Sequence, residues 1–135
     1  MGKFLKLYKI LFIKAQDDYK AAKYLYDGFN RGVIELNIEI ILFHMQQCVE
    51  KLLKSILDFN GVKFPHTHDI DILIELLNSN NIYLMDNIER LGELTGFAVE
   101  GRYAIICDDV ENIDEYIVII DKLIKYIKRK YGEDI

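Results

Sequence analysis

Apolar side chains return every three to four positions along almost the whole chain, the period of α-helices that each turn one face to a core. The pattern predicts a first helix from about Lys3 to Phe29, with Phe4, Tyr8, Leu11, Ala15, Ala22, Leu25 and Phe29 on one face. It stops across Gly28 to Gly32. A second helix runs from about Ile34 to Phe59 and ends at Asn60-Gly61, a helix stop of the usual kind. The loop 62–68 leads to a short third helix from about Asp69 to Asn78, which Thr67 or Asp69 is placed to cap. After a loop at Asn78 to Asn81, a fourth helix is expected from about Leu84 to Val99. Gly92 and Gly96 weaken it by about 1 kcal/mol each relative to Ala. Gly101 to Glu111 reads as a connector. The last helix covers about Ile113 to Tyr131, marked by Ile113, Ile117, Ile120, Leu123, Ile124 and Ile127. No segment alternates with the strand period, nothing repeats, and no linker divides the chain. The expected architecture is all-α, an antiparallel up-and-down bundle of four to five helices in one domain spanning residues 1–135.

The second helix carries the clearest signal. Ile38, Leu42, Met45, Val49, Leu52 and Ile56 form one seam of about 3.5-residue period. Gln47, Lys51 and Lys54 then point roughly opposite that seam, flanked by His44 and Glu50, as on the wet side of an amphipathic helix. The first helix is less regular. Phe4, Leu5, Leu7, Tyr8, Ile10, Leu11, Phe12 and Ile13 leave little polar surface besides the lysines. A helix apolar all round has to be covered on more than one side. The surplus at Phe4, Leu5, Ile10, Phe12 and Ile13 therefore points to a second copy of the chain and a two-fold homodimer.

Composition narrows the class of function. The 135 residues are 51% hydrophobic with one proline and eight glycines, which argues for long regular elements and against disorder. Seventeen basic against 22 acidic side chains give a net charge of −5, which leaves room for a local basic site but not for a wholly basic face. Cys48 and Cys107 sit in apolar helical contexts without a CxxC pair and read as reduced core residues of a cytoplasmic protein. Lys6, Lys9 and Lys14 interrupt the N-terminal apolar stretch, so it fails as a signal peptide, and no stretch suffices for a membrane span. His66-Thr67-His68 with His44 has a metal-like spacing but no completing set, so no metal and no cofactor are expected. Lys122, Lys125, Lys128, Arg129 and Lys130 crowd the end of the last helix, where they complement its dipole and offer a secondary contact to RNA.

Four motifs in order resemble the HEPN family (higher eukaryotes and prokaryotes nucleotide-binding). Ala15 to Leu25, AQDDYKAAKYL, has the A-x-x-D-x-x-A-A-x-x-L character of its first helix. Phe43 to Lys54 matches F-x-x-Q-Q-x-x-E-K-x-x-K at Phe43, Gln46, Gln47, Glu50, Lys51 and Lys54. Thr67-His68-Asp69-Ile70 matches T-H-D-[LI], and Arg102-Tyr103 matches an R-Y before the last helix, with Ala104 where the usual residue is Pro. The HEPN ribonucleases share an Arg followed four to six residues later by His, a pair able to activate a ribose hydroxyl and stabilise the cleaved phosphate. No histidine stands at that spacing after Arg31, Arg90, Arg102 or Arg129.

The resemblance therefore implies a non-catalytic nucleotide- or RNA-binding and interaction module, a homodimer, of the R-Y group that accompanies minimal nucleotidyltransferase subunits in toxin–antitoxin or defence pairs. A divergent ribonuclease using other residues is the alternative. The residues it brings forward are Gln47, Glu50, Lys51, Lys54, His68, Asp69, Arg102 and Tyr103. In one reading Lys51, Lys54 and Arg102 hold phosphates, Tyr103 stacks on a base, and His68 or Asp69 bonds sugar or base edges. In the other, His68-Asp69 only caps the third helix, Glu50 pairs with Arg102 to pin the connector, and Tyr103 is core.

Overall fold

The computed structural model describes residues 5–97 and 110–132. Helices α1 (Leu7–Asn30), α2 (Ile38–Phe59), α3 (Ile70–Ser79) and α4 (Val110–Tyr131) are joined by a 3-10 segment, Ile88–Phe97, between α3 and α4. The described residues form an all-α bundle, as the periodicity predicts. Three of its contacts fix the direction of the long helices. Ser55, late in α2, donates to the Tyr8 carbonyl at the start of α1 (2.8 Å), while Lys51 reaches Asp18 further along α1 (2.6 Å). Tyr26, late in α1, donates to Asp114 at the start of α4 (2.8 Å). Thus α1 runs antiparallel to both α2 and α4.

Two helix ends obey the same local rule. Past α2, Gly61 takes a φ of +74° and Val62 N–H returns to the Leu57 carbonyl (2.8 Å). Past α3, Asn81 takes a φ of +60° and Ile82 N–H returns to the Leu77 carbonyl (2.9 Å). Both are Schellman closures, in which a left-handed residue satisfies the last carbonyls and lays the next apolar residue on the core. After α1 the chain also turns back, and Ile34 N–H is bonded to the Gly28 carbonyl (3.3 Å). That bond occupies the segment that was expected to open the second helix, so α2 starts at Ile38 rather than Ile34.

The expected fourth α-helix is a 3-10 segment, and it starts at Ile88 rather than Leu84. Asn87 has a φ of +68°, which no right-handed helix tolerates, and it separates Leu84 from the rest. Gly92 is buried where an added Cβ would fall on the Asp71 carboxylate, so the segment and α3 approach through a missing side chain. Arg90 ties this segment to α4 through Glu115 (2.6 Å), and Tyr116 of α4 donates back to Glu93 (2.7 Å). The last two residues of the expected connector already belong to α4, and the rest of it lies outside the described residues.

Helix α2 packs against every other element. Its predicted seam from Leu42 to Ile56 is buried, with Ile38 half-buried at the entrance, and Ile41, Cys48, Leu53 and Leu57 widen the buried arc well beyond it. The arc includes Gln46 and Glu50, so of the face read as wet Glu50 is buried, while His44, Gln47, Lys51 and Lys54 remain half-exposed beside α1 and the loop before α3. The unpaired Cys48 thiol is fully enclosed, and burial pushes its pKa upward. No helix among the described residues is long and apolar enough to cross a membrane.

The first helix also needs a correction. Phe12 is fully buried, its ring edge-on to Tyr131 at 5.5 Å, so it belongs to the core of its own chain and not to a surplus outer face. In the first half of α1 Leu7 (48% exposed) and Ile13 (44%) are the large apolar side chains left open, with Leu5 just before the helix and Tyr24 open further along it, while Phe4 lies outside the described residues. Truncating Phe12 removes an enclosed ring, so Phe12→Ala should cost roughly 3–5 kcal/mol in urea unfolding. Ile13→Asp should leave the unfolding midpoint nearly unchanged at concentrations where the chain is monomeric.

Candidate functional site

A row of polar side chains occupies one side of α2 at helical spacing: His44, Gln47, Lys51 and Lys54, with Gln46 and Glu50 deeper. On α1, Ala15 and Ala22 are fully buried, and such small residues let the two helices come close. Asp18, between them, reaches across to α2. Its carboxylate receives the Lys51 ammonium (2.6 Å) and lies 3.4 Å from His44 Nδ1. Lys51 also donates to Gln47 Oε1 (3.3 Å), and the Gln47 amide donates to the side-chain oxygen of Gln46, Oε1 (2.7 Å). Gln46, with no exposed surface, spends its amide hydrogens on Glu50 (3.1 Å) and on the His68 backbone carbonyl (3.1 Å). Glu50 closes the row by accepting from Lys54 (2.7 Å) and meeting His68 Nδ1 (3.1 Å). One hydrogen-bonded chain thus links α1, α2 and the loop before α3.

The loop end is fixed by capping. Thr67 Oγ1 accepts from the Asp69 N–H (3.0 Å), and Asp69, the N-cap of α3, accepts from the Asp71 N–H (2.9 Å). Thr95 of the 3-10 segment takes the Ile70 N–H (3.1 Å). Three of the free donors at the start of α3 are satisfied in this way, which holds His68 over Glu50.

The electrostatics follow from the bonding. Burial pushes the Glu50 carboxyl upward, but hydrogen bonds from Lys54, Gln46 and His68, and the Lys54 charge, outweigh it and hold the pKa below its ordinary value. Glu50 is therefore a carboxylate at neutral pH and can only accept, so His68 Nδ1 carries the hydrogen, on a side chain that is 66% exposed. Lys51 and Lys54 are both already neutralised, by Asp18 and Glu50.

The structure thus gathers five of the eight residues singled out in the sequence: Gln47, Glu50, Lys51, Lys54 and His68. Asp69 is turned to the start of α3 as its cap. Arg102 and Tyr103 lie outside the described residues. Of the metal-like histidines, His44 is engaged by Asp18 and His68 by Glu50, and no group of three metal-ligating side chains occurs among the described residues. Sequence reasoning passed over Asp18 and Gln46 as site residues, although both stand in the motif positions quoted above. The available signals were a polar residue, Asp18, between two alanines at helical spacing, and a glutamine, Gln46, directly beside Met45 of the apolar seam.

The fold and this row define an all-α bundle organised on one polar-edged central helix. A family model described as HEPN domain matches residues 8–130, and the chain belongs to the HEPN family. Comparisons with curated proteins and with solved structures find no match.

Removing the hub should show in stability. Glu50→Ala leaves Lys54 without its carboxylate and Gln46 without one of its two acceptors, and should cost about 3 kcal/mol at neutral pH. The sign with pH is fixed by the lowered pKa. The advantage of wild type over Glu50→Gln is complete above the ordinary carboxyl value of 4.5 and is lost as pH falls through the lower folded value. Urea titrations of the two proteins from neutral to acid pH measure it.

Proposed function

We propose that this HEPN domain is a non-catalytic nucleotide- or RNA-binding and interaction module, acting as a homodimer beside a nucleotidyltransferase-type subunit in a toxin–antitoxin or defence pair. The observation that carries the non-catalytic part is the absence of a histidine four to six residues after any arginine. The structure gives two of those arginines other work: Arg31 pairs with Asp27 (3.2 Å), and Arg90 with Glu93 and Glu115. In the α2 row, Lys51 and Lys54 answer internal carboxylates, as expected where a network positions helices and presents an edge to a partner. A phosphate entering there competes with Asp18 and Glu50, so Lys51→Ala is the variant that reports such a contact.

One observation favours a second reading. His68, largely exposed and held with Nδ1 on a buried carboxylate, has the form of an oriented general base. Incubating purified protein with total RNA and chelator decides between them. The module reading predicts no cleavage. Cleavage that persists through purification and disappears in His68→Ala or Arg102→Ala contradicts it and supports a divergent ribonuclease.

The dimer is supported by α1, where Leu7, Ile10 and Ile13 stand three residues apart along one side, two of them open to solvent. Isologous pairing covers that strip on both copies at once. Light scattering at micromolar concentration should find a dimer that Ile13→Asp dissociates. A monomeric wild type, or a dimer indifferent to this change, contradicts it.

A further inference from the structure

A cleft with an aromatic lining lies away from the polar row of α2. Its volume is about 300 Å³, and it opens where the C-terminal ends of α2 and α4 meet the loop after α3. Phe59, Tyr83, Tyr126 and Tyr131 line it, and Lys130 stands at its edge with Nζ 5.8 Å from the Tyr126 ring centre. Phe59 and Tyr131 pack with ring centres 4.5 Å apart and planes tilted by 35°, and the Tyr126 hydroxyl donates to the Tyr83 backbone carbonyl (3.3 Å), so the walls are braced by the fold. Two of the rings nevertheless remain open to solvent, Phe59 at 39% and Tyr83 at 68%.

On the other side of Tyr126 a second groove of about 300 Å³ is lined by Lys122, Lys125 and Arg129. Among the described residues no carboxylate pairs with Lys122, Arg129 or Lys130, and Lys125 has only Asp121 at 3.2 Å. From Lys122 to Lys130 the sequence holds five cations and no acid, in a chain of net charge −5. The helix dipole accounts for cations in the last turn, Lys128 to Lys130, but its effect fades beyond that turn and does not account for Lys122 or Lys125.

We propose that these adjoining grooves bind a nucleoside phosphate, with the base against the aromatic cleft at Tyr83 and the phosphate at Lys130. Flat rings accept any base by stacking, and unpaired cations supply the phosphate attraction that Lys51 and Lys54 have already given to carboxylates. The inference rests on the reading of the chain as a nucleotide- or RNA-binding module and locates the contact at the end of α4 rather than on the polar row of α2. The nucleoside phosphate is either a free nucleotide or one residue of single-stranded RNA, and the second groove extends the site toward RNA.

The test uses the whole chain with two probes, AMP by calorimetry and a labelled oligoadenylate by fluorescence anisotropy. Tyr83→Ala and Lys130→Glu, both at exposed positions, should each weaken binding about tenfold or more while the unfolding midpoint stays close to that of wild type. Lys51→Ala should leave it unchanged. If RNA is the source, Lys122→Ala with Arg129→Ala weakens only the oligoadenylate and lowers its logarithmic salt slope by about 0.7 per lost phosphate contact. If a free nucleotide is the source, AMP binds as well as the oligomer and that pair of changes has no effect. Binding that survives both Tyr83→Ala and Lys130→Glu overturns the inference, and its loss in Lys51→Ala would keep the module reading with the site on α2. A wild type that binds neither probe overturns both.

Discussion

A carboxylate buried against the central helix constrains everything around it. Glu50 is almost fully enclosed, and an ionised group in such a place is tolerated only when its oxygens are met by donors. Lys54, Gln46 and His68 meet them, and each brings another part of the molecule into register. Lys54 comes from the next turn of α2. Gln46 passes the connection through Gln47 and Lys51 to Asp18 on α1, and His68 delivers the loop whose next residue caps α3. The positions of α1, α2 and α3 are therefore coupled by one continuous set of hydrogen bonds laid over an apolar core.

That coupling bears on what the domain can bind. Cations that complete an internal carboxylate have spent their charge on the fold, and a phosphate reaching them has to displace an acid already in place. The basic side chains at the end of α4 are different, since most have no acid beside them among the described residues, and they border exposed aromatic rings. Division of labour follows from the charges alone: α2 organises the bundle, and α4 carries the surface with unspent positive charge.

How much of this was legible in the sequence depends on how far apart the partners stand. The helices, the stops at Asn60-Gly61 and around Asn81, and the Asp69 cap are local, and each is written within a few residues. The seam of α2 is equally plain. Its other face is half-covered rather than wet, because helical spacing describes one helix, whereas Asp18 and His68 that meet it come from elsewhere in the chain. In α1 apolar residues surround the axis, so periodicity has no preferred side, and Phe12 turned out to be core while Leu7 and Ile13 were left open. The 3-10 segment escaped because it depends on a left-handed Asn87 and on the close approach of Asp71 to Gly92. The aromatic cleft joins residues 59, 83, 126 and 131, which no spacing rule connects.

The claim that α2 is wiring and α4 is the binding surface can be read residue by residue in one titration. Backbone amide shifts of isotopically labelled protein, followed as a short oligoadenylate is added, report where the nucleic acid lies. The account predicts that the shifts concentrate at Tyr83 and from Lys122 to Tyr131, with His44 to Lys54 and His68 undisturbed. Shifts centred on Gln47, Lys51, Lys54 and His68, with the end of α4 silent, would contradict it.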